Sequence, residues 1–581
     1  MERSFWQKRL SRRRLLGATS LAIAGTGAGL LLPHRAPART AAQNPFVIAE
    51  DIRHNAGELA AGQLQGLTWA TPAGQPVMRA ASSSGGVYTS PVVRTSFPAT
   101  HIGLHWLADA PSYDQIRFEL RTSTDGWTWS PWQRLYIEAE PHENRRGERF
   151  AALVWAGGAS RVQYRAFFPS DTPDATALRN VTITALAASA PDGPLQALSS
   201  TSTKTTSQES TTGTTPSATR DAGSLDPPFG ANVLVSRETW GAPESYRYDS
   251  RGYEAWPRMY IPTKKIIVHH TATLSNTNPQ DPTFPYPNYS ADEAVQDVRA
   301  VYYYHAITLG WGDIGYNALI DRFGRIFEGR RGRDSGPHGG REIISPDVVA
   351  GHALNCNEGA AGVSLLGNYE ENQVGSNEKT LIDTLIEFLT WSCRRHYVWP
   401  NASSDFLQVN WVWRQGIQDI SGHRDVNQTA CPGQYLYAYL PNIRQSVASS
   451  AAAVAVIKPS AQITNLPTQA NIDAHSVTFA WKSPDSSSAE FSYYLEGWIP
   501  NLDTDEDYYF SGFTGDKRPD WSSFSGATSA TLKIPQPGRY TFHVRARDSK
   551  SDGAYEANWT FVAQSGGGTS HTIGVPGVIK N

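Results

Sequence analysis

The sequence predicts a multidomain chain: a central α/β domain, a mixed sheet packed with helices, flanked by N-terminal and C-terminal all-β sandwich domains. Three observations carry this expectation. Between Asn232 and Ser449, short β-branched runs alternate with stretches of helical spacing, the pattern of an α/β unit. On either side of it, apolar and polar residues alternate with a period of two, as half-buried strands do. A stretch dominated by Ser and Thr from Leu198 to Thr219 has too little apolar surface to offset ordering entropy, and so reads as a linker. The length of 581 residues agrees, since about 100–200 residues per domain gives three or four folded units.

Taken in order, residues 1–38 read as an export signal. Lys8, Arg9 and Arg12-Arg13-Arg14 precede an apolar Gly/Ala-rich stretch to Leu32 and a small-residue site at Ala36-Pro37-Ala38, a pattern of the twin-arginine kind. Leu15 and Gly17 depart from it, standing where an aromatic and a lysine are usual. No later run of about 18 apolar residues follows, so the mature chain is expected to have no integral membrane span. Residues 45–195 form the first sandwich. Its strands are Ile102–Trp106, Ile116–Arg121, Val162–Phe167 and Val181–Ile183, and the turn Asp125–Trp132 carries three tryptophans, as a sugar platform or a structural corner. The linker spans 196–228.

The central domain is set at 229–450. Strands are expected at Lys264–His270, Gly315–Ile320, Arg325–Phe327 and Ala361–Gly367, with helices at Ala291–Thr308 and Leu381–Tyr397. A second sandwich at 465–565, with strands Val477–Trp481 and Tyr540–Asp548, resembles fibronectin type III or immunoglobulin-like modules. Residues 566–581 are a Gly-rich tail.

Composition narrows the function. A formal net charge of -3 gives no large basic field for nucleic acid. The 18 Trp and 25 Tyr suit stacking on sugars, although sandwich cores consume many of them. Only Cys356, Cys393 and Cys431 exist, and an odd count in an exported chain leaves one thiol without an intrachain partner. A disulfide between Cys356 and Cys393 is one pairing that spacing alone does not decide.

Cys431 lies eight residues beyond His423, in a loop bounded by Gly422 and Pro432-Gly433. An imidazole and a thiolate on one irregular segment are natural zinc ligands. The strand ending at His269-His270 offers a third, and because strand side chains alternate between faces, only one of the two histidines can point at the metal. Two His and one Cys leave the fourth zinc position open, as a hydrolase needs.

Several separated motifs then carry a resemblance. They are Ser236–Ala242, Ile267–Ala272, Gly310–Asn317, Ile320-Asp321, Glu328-Gly329-Arg330, Gly362–Tyr369, Gly422–Asp425 and Ala430–Gly433. In this order they resemble the peptidoglycan recognition protein and type 2 N-acetylmuramoyl-L-alanine amidase family. The resemblance implies Zn2+ held by His269, His423 and Cys431, with Tyr316 as the catalytic tyrosine. Thr429 matches a second oxyanion donor, which is lysine in phage-type members. His305, Arg330 and His352 match positions lining the substrate groove. Asp313 and Asp321 are read as turn and salt-bridge residues.

The function implied is zinc-dependent hydrolysis of the amide between N-acetylmuramoyl and L-alanine in bacterial peptidoglycan, by an exported, wall-associated monomer. A non-catalytic peptidoglycan-binding protein is the alternative. A zinc peptidase is disfavoured because the chain contains no His-Glu-x-x-His helix.

Overall fold

The computed structural model describes residues 47–110, 115–139, 148–170, 175–188, 229, 233–259, 263–273, 290–332, 343–374, 378–396, 398–407, 413–450, 461–465, 469–471, 476–484, 486–500, 507–510, 522–534, 538–548 and 551–564. The export signal at 1–38, the linker at 196–228, the tail at 566–581 and His338 lie outside the described residues. Among the described residues, no helix is long and apolar enough to cross a membrane.

The N-terminal region is rich in strand. Val93–Asp109 runs antiparallel to Val154–Phe168 on one side and to Ala177–Ala187 on the other, within one 12-stranded hydrogen-bonded network. One period-two run behaves as read: Arg117–Ser123 alternates between half-buried and buried positions up to Thr122, sending Phe118 and Leu120 into a core with Trp106, Tyr164 and Ile183, whereas Ile102–Trp106 and Val181–Ile183 are buried throughout. Gly157 and Gly158 have φ of 57° and 81°, and the register shifts around them, the mark of a bulge that bends the strand. Of the three turn tryptophans, Trp132 interleaves with Arg121 and Arg165 and Trp129 stacks on Arg121. Only Trp127 is exposed, at 90%, so the turn is mainly a structural corner.

The central region is α/β. Its six-stranded sheet runs in the order Leu234–Val235, Ile326–Glu328, Ala318–Ile320, Ala360–Leu365, Lys265–His270, Ile420–Gly422. The last four of these are mutually parallel, and Ala318–Ile320 pairs antiparallel with Ile326–Glu328. Every residue of Lys265–His270 is buried, as expected of a central parallel strand covered on both faces. Helix Lys379–His396 supplies Leu381, Leu385, Phe388 and Leu389 to the cluster holding Ile266 and Val268. Each such side chain contributes about 1.5–3 kcal/mol through burial. Helix Gln434–Ser449 packs Leu436, Leu440 and Ile443 into the same cluster.

Cys356 and Cys393 are buried in different clusters and form no disulfide. In the C-terminal region, sheets of three and five strands meet through Phe479, which stacks on Phe542 at 4.1 Å between ring centroids.

The N-terminal and central regions share a core. Val47, Phe150, Leu153 and Leu186 join Trp240, Val298, Val301 and Tyr304 in one apolar cluster. The Tyr304 hydroxyl donates to the Ala151 carbonyl at 2.9 Å, and His101 Nε2 meets Asp297 Oδ1 at 2.6 Å with both side chains buried. Gly103 permits the approach, since a Cβ there would lie 2.7 Å from the Tyr304 ring.

Candidate metal centre

Sheet register assembles the centre. Lys265–His270 pairs in parallel with Ile420–Gly422, setting Val268 opposite Gly422. The next residues, His269 and His423, therefore emerge side by side, with ring centroids 4.5 Å apart. Cys431 returns to the same point on a loop tied by Arg424 N–H to the Cys431 carbonyl at 3.0 Å. Its Sγ lies 3.6 Å from His269 Nδ1 and accepts from the His270 N–H at 3.4 Å. One ligand atom from each of His269, His423 and Cys431 falls within 4.8 Å of the other two. Strand alternation decides between the paired histidines: His270 turns away, and its Nδ1 accepts from the Tyr369 N–H at 3.1 Å.

The donor set fits a zinc-class ion. His269 directs Nδ1 toward Cys431, while its Nε2 pairs with His352 Nδ1 at 3.0 Å. His423 Nε2 meets Asn427 Oδ1 at 3.2 Å. A ligating imidazole held at its second nitrogen is fixed in tautomer and orientation. Burial, followed by the neighbouring imidazoles, drives the His269 pKa well below its ordinary value, and burial brings that of His423 down to about 4. Both are therefore neutral, as ligation requires. Burial pushes the Cys431 thiol up, a penalty that a bound cation reverses.

Tyr316 is buried, with its ring centroid 5.4 Å from that of His269. Burial, then the Glu138 charge, raise its phenol well above the usual value. Thr429 Oγ1 accepts from the Cys431 N–H at 3.2 Å. The glycine-bounded loop thus brings Thr429 beside the ligand set.

The three residues expected in the groove are all buried. Arg330 is buried, donating to Asp313 Oδ2 at 3.0 Å and stacking on Trp256. Asp313 also takes Arg237 at 2.9 Å and Arg247 at 3.5 Å. Burial raises the Asp313 carboxyl, and the three arginines more than offset this, holding it below the usual carboxylate range. Arg330 is thus paired inside the fold as one of the counter-ions of Asp313. His352 is buried behind His269 and orients it. His305, also buried, sits in a π-helical turn, Tyr304–Thr308, at the end of helix Ala291–Tyr303. Such turns re-aim side chains at functional sites, and this one brings His305 to Tyr316, with ring centroids 5.5 Å apart. Asp321 pairs with Arg325 at 2.6 Å, the salt-bridge role read for it.

Sequence reasoning missed Glu138, on the N-terminal strand Ile137–Ala139, which reaches both Tyr316 and His305. It stands far before the first motif, which opens at Ser236, and no local signal marks it.

Residues 259–434 match the family described as N-acetylmuramoyl-L-alanine amidase. Peptidoglycan recognition protein 1 of Bos taurus is 29% identical over 204 residues, covering 35% of this chain and 80% of that protein. Peptidoglycan-recognition protein SC2 of Drosophila simulans is 28% identical over 207 residues, covering 35% of this chain and 83% of the relative. The solved structure of Drosophila PGRP-LB aligns over 38% of this chain and 94% of its own, at 22% identity and a TM-score of 0.24.

Proposed function

The central domain of this chain belongs to the peptidoglycan recognition protein and type 2 N-acetylmuramoyl-L-alanine amidase family, and on that premise we propose that the chain is a zinc-dependent N-acetylmuramoyl-L-alanine amidase. Its substrate is the amide between the lactyl group of N-acetylmuramic acid and L-alanine in bacterial peptidoglycan. The observation that supports catalysis over binding alone is the convergence of His269, His423 and Cys431 within 4.8 Å of one another, beside Tyr316. A pure binder needs none of these ligands.

In this reading His269, His423 and Cys431 hold Zn2+, which when bound polarises the carbonyl and activates water. His352 and Asn427 fix the tautomers of the ligating rings. The Thr429 oxygen is engaged as acceptor, leaving its proton for the oxyanion of the tetrahedral intermediate. Tyr316 stands at the same opening through its contact with His269.

The flanking strand-rich regions are read as β-sandwich modules. Residues 1–38 are read as a twin-arginine export signal that places the enzyme at the cell wall as a monomer.

The test is mass spectrometry of products released from a defined muropeptide, together with zinc stoichiometry. Wild-type chain is expected to bind one zinc and release free stem peptide, and Cys431→Ser to do neither. A zinc-free wild type that binds muropeptide without cleaving it establishes the binding-protein alternative.

A further inference from the structure

The N-terminal region does more than stand beside the metal centre. Its strand Ile137–Ala139 pairs with Glu148–Ala151, which in turn pairs with the long strand Val93–Asp109. Two polar contacts to the central domain bracket this strand pair. The Tyr136 hydroxyl donates to Glu371 Oε1 at 2.9 Å, and the Ala151 carbonyl accepts from the Tyr304 hydroxyl at 2.9 Å. Phe150 and Leu153 add the apolar part of the same seam. Glu138 lies between these anchors, with its side chain 11% exposed.

Glu138 Oε1 receives two bonds. One is from the Tyr316 hydroxyl at 3.1 Å. The other joins it to His305 Nε2 at 3.0 Å. The tautomer of His305 follows from its other nitrogen: Nδ1 accepts the Gly315 N–H at 3.0 Å, so Nε2 carries the proton and donates to Glu138. A tyrosine hydroxyl has a single proton, and here it points at Glu138. The Tyr316 oxygen can then only accept from other groups: the buried Ser364 hydroxyl is one donor beside it, and its remaining acceptor capacity faces a donor such as the attacking water. A proton committed to a carboxylate is unavailable to a second acceptor, so this geometry favours Tyr316 as an acceptor for water over Tyr316 as an oxyanion donor.

We propose that Glu138 of the N-terminal domain is a positioning residue of the amidase centre: by accepting from both Tyr316 and His305 it fixes the Tyr316 hydroxyl as an acceptor for the attacking water, so that the active site is built from two domains. The proposal rests on the amidase reading above. Glu138 acts through Tyr316 and transfers no proton itself. What it supplies is two hydrogen bonds of fixed direction. An amide oxygen at the same position accepts the same two bonds, whereas a methyl group accepts none and leaves two largely buried donors without an acceptor.

Glu138→Gln, Glu138→Ala, Tyr316→Phe and the double variant Glu138→Ala/Tyr316→Phe, each in the full chain, test this. In Glu138→Ala, kcat on a defined muropeptide is expected to fall about 10–100-fold, with KM changed less than about 3-fold, as for a misplaced reacting group. Glu138→Gln is expected to stay within about 3-fold of wild type, and zinc content to be the same in all variants. The double variant is expected to be no slower than Tyr316→Phe alone, since the two residues act as one unit. An unchanged or increased kcat in Glu138→Ala overturns the proposal, and so does a loss in Glu138→Gln as large as in Glu138→Ala, which would assign the role to charge.

A second readout needs no hydrolysis. In protein labelled with 15N-histidine and assigned with a His305 variant, the Nε2 proton of His305 is expected downfield and slow to exchange in wild type and Glu138→Gln, and lost in Glu138→Ala. Its persistence in Glu138→Ala overturns the proposal. A wild type that releases no stem peptide would defeat the amidase reading while leaving this measurement intact.

Discussion

Lowering the pH should destabilise the zinc-free protein through His352 in a calculable way. Burial, followed by the nearby His423, brings the His352 pKa down from 6.5 to about 3, because the ring sits behind His269 with 6% of its surface exposed. A histidine whose folded pKa lies below its unfolded value binds more protons when unfolded. Its stabilising contribution is complete above pH 6.5 and is lost as pH falls toward 3. With these two values, the single ring costs about 1 kcal/mol at pH 5.5 and about 3 kcal/mol at pH 4.5, both relative to pH 8. The assay is urea unfolding of the chelator-treated full chain at pH 7.5 and 5.5, comparing wild type with His352→Gln. Glutamine keeps an acceptor for His269 Nε2 but does not titrate, so wild type should lose about 1 kcal/mol more than the variant on acidification. Parallel losses in the two proteins would refute the reasoning, since they would show that His352 is not held neutral by its site.

Two further outcomes follow from the geometry. Thr429→Ala should lower kcat about 10–100-fold with little effect on zinc content, measured by steady-state release of stem peptide, because one oxyanion donor is lost while the Cys431 loop keeps its other bonds. Arg330→Met should destabilise the fold by about 1–3 kcal/mol in urea unfolding, by taking one of three arginines from the buried Asp313 carboxylate. In the fraction that folds, KM should stay near wild type; a large rise in KM without loss of stability would return Arg330 to the groove.

The residues legible in the sequence are those whose geometry is local or imposed by the sheet. The run Ile116–Arg121 and the spacing of Leu381, Leu385, Phe388 and Leu389 along one helix face became elements close to their expected bounds, because amphipathic periodicity is decided within one element, while the other N-terminal runs are pieces of longer strands. The candidate ligand set was legible because two histidines and a cysteine are chemically rare company, and the structure brings them together, although choosing His269 over His270 took either the family pattern or the register of Val268 against Gly422. For Arg330 and His352, expected in the groove, the structure adds burial and partners that sequence could not supply. A polar side chain within a conserved-looking motif serves equally a groove or a buried network, and only burial and partners distinguish the two. The helix Gln434–Ser449 was not expected; it carries Pro441 in its interior, a residue that usually argues against a helix. The Ser403–Leu407 and Trp413–Gln418 hairpin was also unforeseen.

What sequence could not convey is the seam between domains, and the seam changes what the N-terminal region is for. A Ser/Thr-rich linker invites the picture of a module tethered at variable distance from a self-sufficient catalytic domain. A tether of that kind is compatible with polar surfaces on both sides. Here Phe150, Leu153 and Leu186 lie in the same apolar cluster as Val298, Val301 and Tyr304. Separating them would expose that surface to water and would break the buried contact between His101 and Asp297. A seam with those costs favours one fixed arrangement over a range of them. The carboxylate delivered across it is therefore held by the same packing that holds the two cores together, so substitutions deep in the seam, far from the metal ligands, are expected to reach the chemistry through the direction of a single tyrosine hydroxyl.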